Sequence, residues 1–144
     1  LYEEDYMGYK KFVGYLGEIK KDLDAHDIHF FVVVWPLLGD LNAKTYPHHD
    51  IHAKIHDVLD GYQIQYLDLL SEFLGKSSTR LQAVPFIDGH PSEIGHRMAA
   101  EALYRALLDN SMIPEVYRCE HTSGLNAPDY SKLYELMNPT NREE

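Results

Sequence analysis

The tripeptide Asp88-Gly89-His90 sets a carboxylate and an imidazole two positions apart, directly before Pro91 and a run with helical spacing. A histidine acts as a general base near neutral pH because its unperturbed pKa is about 6.5. A neighbouring carboxylate fixes its tautomer and stabilises the imidazolium formed on reaction. The same residues also read as a plain turn: Asp88 and Gly89 shape it, His90 is exposed, and Pro91 and Ser92 begin a helix. Three residues fit both readings, and a tripeptide alone is a weak motif.

A second group of possible ligands is "YPHHDIHAKIH", which carries His48, His49, His52 and His56. His52 and His56 are four apart, so a helix would turn both to one face with a spacing able to chelate zinc. No Glu follows His52 as in a hydrolytic HExxH, and solvated histidines at helix starts are common. The expectation is therefore no resident metal and no cofactor. Asp68, at the end of a strand-like run, is expected to cap the turn after it. His96 is expected to pack or hydrogen-bond on its helix. Trp35, Pro36 and His48 are candidate walls of a pocket, although core burial is the commoner fate of an aromatic residue at a strand end. Cys119 has no activating neighbours and, as the sole cysteine, forms no intramolecular disulfide.

The elements that must position these residues follow from periodicity. Tyr9, Phe12, Val13, Leu16, Ile19 and Leu23 recur at spacings of three and four, which predicts one apolar helical stripe over 2–23. "FFVVVWPLL" is β-branched and aromatic without polar alternation, the pattern of a parallel strand buried on both faces. Residues 39–47 read as loop. Ile51, Ile55, Val58 and Leu59 predict a helix over 48–60 with Gly61 as its C-terminal cap. "YQIQYLDLL" predicts a second strand running into a short helical turn. Strand, helix, strand is a βαβ unit and predicts a parallel sheet. Residues 75–91 read as a long loop at the carboxyl edge of that sheet, where α/β proteins place chemistry. Ile94, Met98, Ala99, Ala102, Leu103 and Ala106 form the apolar face of a further helix. Residues 1–110 are read as one α/β domain and 111–144 as an extension with one helix over 129–137.

"DGHPSEIGHRMAAEAL" resembles the last sequence block of the SGNH/GDSL serine hydrolases, in which Asp and His precede Pro and a small polar residue, followed by Gly-His and Ala on the final helix. The order of elements over residues 2–108 is similar to the C-terminal half of that family. The resemblance implies a flavodoxin-like three-layer α/β fold whose N-terminal strands lie upstream, and an ester hydrolase with a Ser-His-Asp triad. In that triad His90 would be the general base and Asp88 its orienting acid. It also implies that the loop from Leu38 to His49, which carries His48, borders the acyl site, and it leaves open whether the substrate is a small ester, an acyl lipid or an O-acetylated glycan. The commoner family spacing is Asp-x-x-His; here Ile87 stands at that position and the acid is one residue later, as in relatives with "DGHPN". The Gly-Asp-Ser nucleophile block and the Gly-x-Asn oxyanion block have no counterpart before the first helix. Ser71, Ser77, Ser78, Ser92, Ser111, Ser123 and Ser131 lie on no strand-to-helix nucleophile turn. The chain is therefore read as a C-terminal fragment, inactive alone. The alternatives are an O-acyltransferase of the same type or a noncatalytic binding module that dimerises through a sheet edge.

Bulk properties narrow the field further. With 144 residues the chain can bury roughly two thirds of its unfolded surface. A net charge of −10 leaves no basic footprint for nucleic acid. The longest apolar run, Phe30 to Leu38, is far short of the roughly 20 residues that cross a bilayer. The sequence begins at Leu1 rather than Met, and its opening residues lack the basic and apolar regions of a signal peptide, so the expectation is that the true N-terminus was removed. It leaves compartment open and permits a bacterial extracytoplasmic location.

Overall fold

The computed structural model describes residues 6–41, 46–85 and 87–118. The expected helix over 129–137 and Cys119 lie outside the described residues. The fold is mixed α/β with one parallel and one antiparallel strand pair. Its contacts divide into two compact units. One joins the described residues through Trp35 with Pro47–Asp68; the other joins Pro36–Tyr46 with the described residues from Leu69 onward.

The first unit contains α1 (Met7–Ala25), β1 (Phe31–Val34), α2 (His49–Gly61) and β2 (Gln65–Asp68). β1 and β2 pair in parallel, with Val32 opposite Tyr66 and Val34 opposite Asp68. Their core is Leu16 of α1, Val34, Leu59 of α2 and Ile64, with Val32, Ile55, Val58 and Tyr66 packed against it. The predicted α1 stripe is realised only in part. Leu16 is buried, whereas Phe12 and Ile19 are exposed, and with Tyr15 they form an uncovered apolar line. β1 likewise departs from the expected two-sided burial: Phe31, Val32 and Val33 are half-buried and only Val34 is buried. Among the described residues β2 is the only strand beside it, so the sheet is too narrow to enclose both faces.

Helix ends in this unit follow a shared device. After α1, Ile28 N–H bonds Leu23 C=O and Asp27 N–H bonds Asp24 C=O; after α2, Ile64 bonds Leu59 and Gln63 bonds Asp60 in the same way. These are Schellman closures, which place one residue in the left-handed region. That residue is Asp27 (φ 56°) after α1 and Gln63 (φ 55°) after α2, not the expected Gly61, which is helical. Ile64 is apolar and buried, so the chain closes where an apolar residue can return to the core, three positions beyond the glycine. Gly61→Ala is accordingly expected to stabilise the protein by about 0.5–1 kcal/mol, because a helical glycine costs backbone entropy and an added Cβ there meets nothing within 4 Å. Gln63→Gly is expected to stabilise as well, by relieving the left-handed φ. Chemical denaturation checks both; a destabilised Gly61→Ala variant would restore the glycine-cap assignment.

The second unit contains a 3-10 turn (Leu38–Asp40), α3 (Leu70–Phe73), α4 (Ser78–Leu81), β3 (Gln82–Val84), β4 (Asp88–Pro91), α5 (Glu93–Asp109) and a final 3-10 turn (Glu115–Tyr117). Its buried side chains include Leu38, Leu41, Tyr46, Leu69, Phe73, Leu81, Met98 and Ala102. The expected long loop over 75–91 is instead a helical turn and an antiparallel hairpin, with Gln82 opposite Pro91 and Val84 opposite Asp88. One apolar anchor and one backbone bond explain this: Leu81 is fully buried, and its carbonyl accepts from Ser92 N–H at 2.7 Å, which brings the ends of the hairpin together. Part of the expected loop over 39–47 is likewise tied down, since Tyr46 is buried and its hydroxyl accepts from Leu37 N–H at 2.8 Å.

No helix among the described residues is long and apolar enough to cross a membrane.

Candidate functional site

Asp88 and His90 both lie on β4, and α5 begins three residues after His90. Ser92 is the N-cap of α5, so Pro91 belongs to the strand and not to the helix. The Ser92 hydroxyl donates to Arg80 C=O at 2.7 Å and accepts from Gly95 N–H at 3.3 Å. One side chain thus ties the end of α4 to the start of α5 and satisfies an otherwise orphaned helix donor. Gly95 permits that approach: a Cβ there would stand 3.2 Å from Leu81 C=O and 3.3 Å from Pro91 Cβ. These contacts hold the strand that carries His90.

Asp88 Oδ1 accepts twice from His90, from the backbone N–H at 3.0 Å and from ring Nδ1 at 2.5 Å. The first bond is the local turn that the sequence allows. The second is the imidazole–carboxylate pair that general-base chemistry requires. The two readings are therefore compatible, since the turn brings the ring to the carboxylate. The backbone N–H of His90, then its ring, hold the Asp88 carboxyl below its ordinary value of 3.8. The sign follows: Asp88 stays ionised throughout the neutral range, and its bonds to His90 weaken only as pH falls through the lowered value. The His90 ring is 86% exposed and the Asp88 side chain 43%. Nothing among the described residues walls the imidazole in.

A testable consequence separates the two bonds. Carboxyl NMR titration is expected to place the Asp88 midpoint below 3.8. His90→Ala should move it only part of the way back, because the backbone donor remains. Full recovery of the ordinary value would show that the ring, not the turn, dominates.

The other candidates divide between the two units. Trp35 is exposed and His48 half-buried in the first unit, while Pro36 is buried in the second. His96 sits exposed on α5. A cavity of about 410 Å³ in the second unit is lined by residues of α3, of α5 and of the segment after α3, including Glu72, Lys76, Glu101 and Arg105. Neither Asp88 nor His90 lines it.

Asp68 does not cap α3, whose N-cap is Leu69 with no side-chain capping bond. Instead it faces α2: Asp68 Oδ2 lies 2.7 Å from His52 Nδ1 and 2.7 Å from His56 Nε2. Pleating explains the direction, since Ile64, Tyr66 and Asp68 alternate onto the face that carries the core. On α2, His52, Ile55, His56 and Leu59 stand at i, i+3, i+4 and i+7, so both histidines share the apolar stripe. That offset from buried Leu59 was a signal in the sequence that these histidines point inward. The carboxylate to which they point is visible only once α2 packs on β2. The Tyr66 ring stacks on His56 with centroids 4.8 Å apart. Burial, then Asp60, raises the Tyr66 phenol above its ordinary 10.0, with Asp68 and Asp57 adding to the effect.

Comparison with protein-family models, curated proteins and solved structures gave no match.

Proposed function

We propose that this chain is the C-terminal part of a flavodoxin-like ester hydrolase of the SGNH/GDSL type, in which His90 is the general base and Asp88 holds it. The observation that carries this reading is the contact between Asp88 Oδ1 and His90 Nδ1. With Asp88 ionised, Nδ1 keeps its proton and donates a hydrogen bond to the carboxylate. The lone pair is then on Nε2, at the exposed end of the ring.

The nucleophile in this reading is a serine on a segment outside Leu1–Glu144. His90 Nε2 takes the hydroxyl proton as the serine oxygen bonds to the ester carbonyl carbon. The imidazolium then protonates the leaving alcohol as the ester C–O bond breaks. Water, activated by the same nitrogen, releases the acid and restores the serine. Ser92, the serine next to His90 in sequence, is held by Arg80 C=O and Gly95 N–H and is a poor nucleophile.

Two further features support the reading. The β1–α2–β2 arrangement is the repeating unit of an open α/β sheet. The uncovered line of Phe12, Tyr15 and Ile19 on α1 and the half-buried β1 are surfaces that additional strands and helices would cover. The test is hydrolysis of p-nitrophenyl acetate by a chain extended upstream, with and without His90→Ala. Methanol added as a competing acceptor distinguishes acyl transfer from hydrolysis.

A further inference from the structure

α2 and β2 bring three metal-binding side chains of the first unit to one point. His52 Nδ1, His56 Nε2 and Asp68 Oδ2 lie within 4.8 Å of one another. We propose that His52, His56 and Asp68 form a binding site for a divalent transition-metal ion, zinc foremost. The site belongs to a different unit from Asp88 and His90 and does not depend on the hydrolase reading.

The donor chemistry fits. Two imidazoles and one carboxylate are a recurrent zinc donor set, with the fourth tetrahedral position left to water or another ligand. Zinc holds nitrogen and oxygen at about 2.0–2.2 Å, so tetrahedral ligands stand roughly 3.3 Å apart. The two 2.7 Å hydrogen bonds to Asp68 therefore need to open by about half an ångström, and His52 Nδ1 and His56 Nε2, which lie within 4.8 Å of each other, need to close toward the same spacing. Binding exchanges two N–H···O bonds for two N–metal bonds, and each neutral ring carries its proton on the other nitrogen. No other atom is transferred.

The surroundings suit a cation and offer it a way in. The His52 side chain is 7% exposed and that of Asp68 15%, whereas that of His56 is 30% exposed. The site is thus dry on one side and open on the other. Stacking on Tyr66 sets the plane of the His56 ring. The carboxylates of Asp57, Asp60 and Asp68 all act on the Tyr66 phenol and give this corner a negative potential. Such an ion would clamp α2 to β2 at the carboxyl end of the parallel pair.

The experiment uses the chain after treatment with a chelator. Zn²⁺ is titrated by calorimetry, and Co²⁺ by the visible absorption that marks tetrahedral coordination. The expected result is saturable uptake of one ion per chain and a thermal midpoint that rises on loading. Loss of an outer-sphere partner commonly weakens a metal site by about 10- to 100-fold, so loss of a ligand in His56→Ala or Asp68→Asn should weaken it by more than about 100-fold. His49→Ala, at an exposed histidine on the same helix, should leave uptake unchanged. Asp68→Asn keeps an acceptor oxygen for the two histidines, so it tests the site even if His56→Ala fails to fold. The absence of stoichiometric uptake, uptake indifferent to Asp68→Asn, or equal losses in His49→Ala and His56→Ala would each overturn the proposal. The last of these would identify adventitious binding by surface histidines.

Discussion

His90→Ala, in a chain extended upstream to supply the nucleophile, is expected to lower ester hydrolysis by about 10²- to 10⁴-fold, the usual contribution of a positioned general base. The fall should appear in kcat with little change in KM, because the imidazole moves a proton in the transition state and contributes little to ground-state binding. Asp88→Asn should cost less. Its carboxylate is 43% exposed, so water replaces part of what the oxygen does, and the backbone turn is open to an asparagine oxygen. Asp88 is a positioning residue, so rate alone does not define its role. The ¹⁵N shifts of the His90 ring supply the missing readout: the Nδ1–H tautomer should dominate in the parent and lose population in Asp88→Asn. Equal rates for the parent and His90→Ala would reject the hydrolase reading and leave the Asp88–His90 contact as a turn on a noncatalytic module.

The second large effect concerns stability. Asp68→Ala in the metal-free chain is expected to cost about 2–3 kcal/mol, because it removes the acceptor shared by two imidazoles in a largely buried, hydrogen-bonded cluster. His52, which is buried, then loses the carboxylate acceptor at Nδ1. An unsatisfied buried donor alone costs about 1–3 kcal/mol. Asp68→Asn should lose much less, because one amide oxygen can accept from both rings. The comparison separates geometry from charge: Asp68→Ala loosens α2 on β2, whereas Asp68→Asn removes chiefly metal affinity. Hydrogen exchange at the α2 and β2 amides is the local measurement. Faster exchange confined to these two elements in Asp68→Ala is the expected pattern, and unchanged protection would show that the cluster does not couple them.

Periodicity carried a large part of the fold. The helices α1, α2 and α5 were readable because each buries at least part of a stripe whose spacing is local, β2 because it alternates, and β1 from its β-branched, aromatic run, although the two-sided burial expected of that run is not realised. The hairpin of β3 and β4 was not readable. It is only a few residues long, and Leu81 C=O and Ser92 N–H, eleven residues apart, close it. A contact at that separation leaves no period in the sequence. The end of α2 was misplaced for a related reason. Gly61 is locally the better cap, but burial of Ile64 decides where the chain reverses, and Gln63 accepts the strained φ as a result.

The two groups of chemical residues differ in the same way. Asp88 and His90 are two positions apart, and a turn joins residues at that range, so their types and spacing allowed a carboxylate beside an imidazole, which the folded turn realises. The resemblance that assigns them a reaction also rests on contiguous residues. His52 and Asp68 are sixteen positions apart on different elements. The helical spacing of His52 and His56 put them on one face, and strand alternation gave Asp68 a face too, but neither period states that these faces meet. That depends on α2 crossing β2 with Leu59 and Ile64 in a shared core. Packing, which is a property of the folded chain and not of any window along it, therefore turned an expected cap residue into the centre of a histidine–carboxylate cluster.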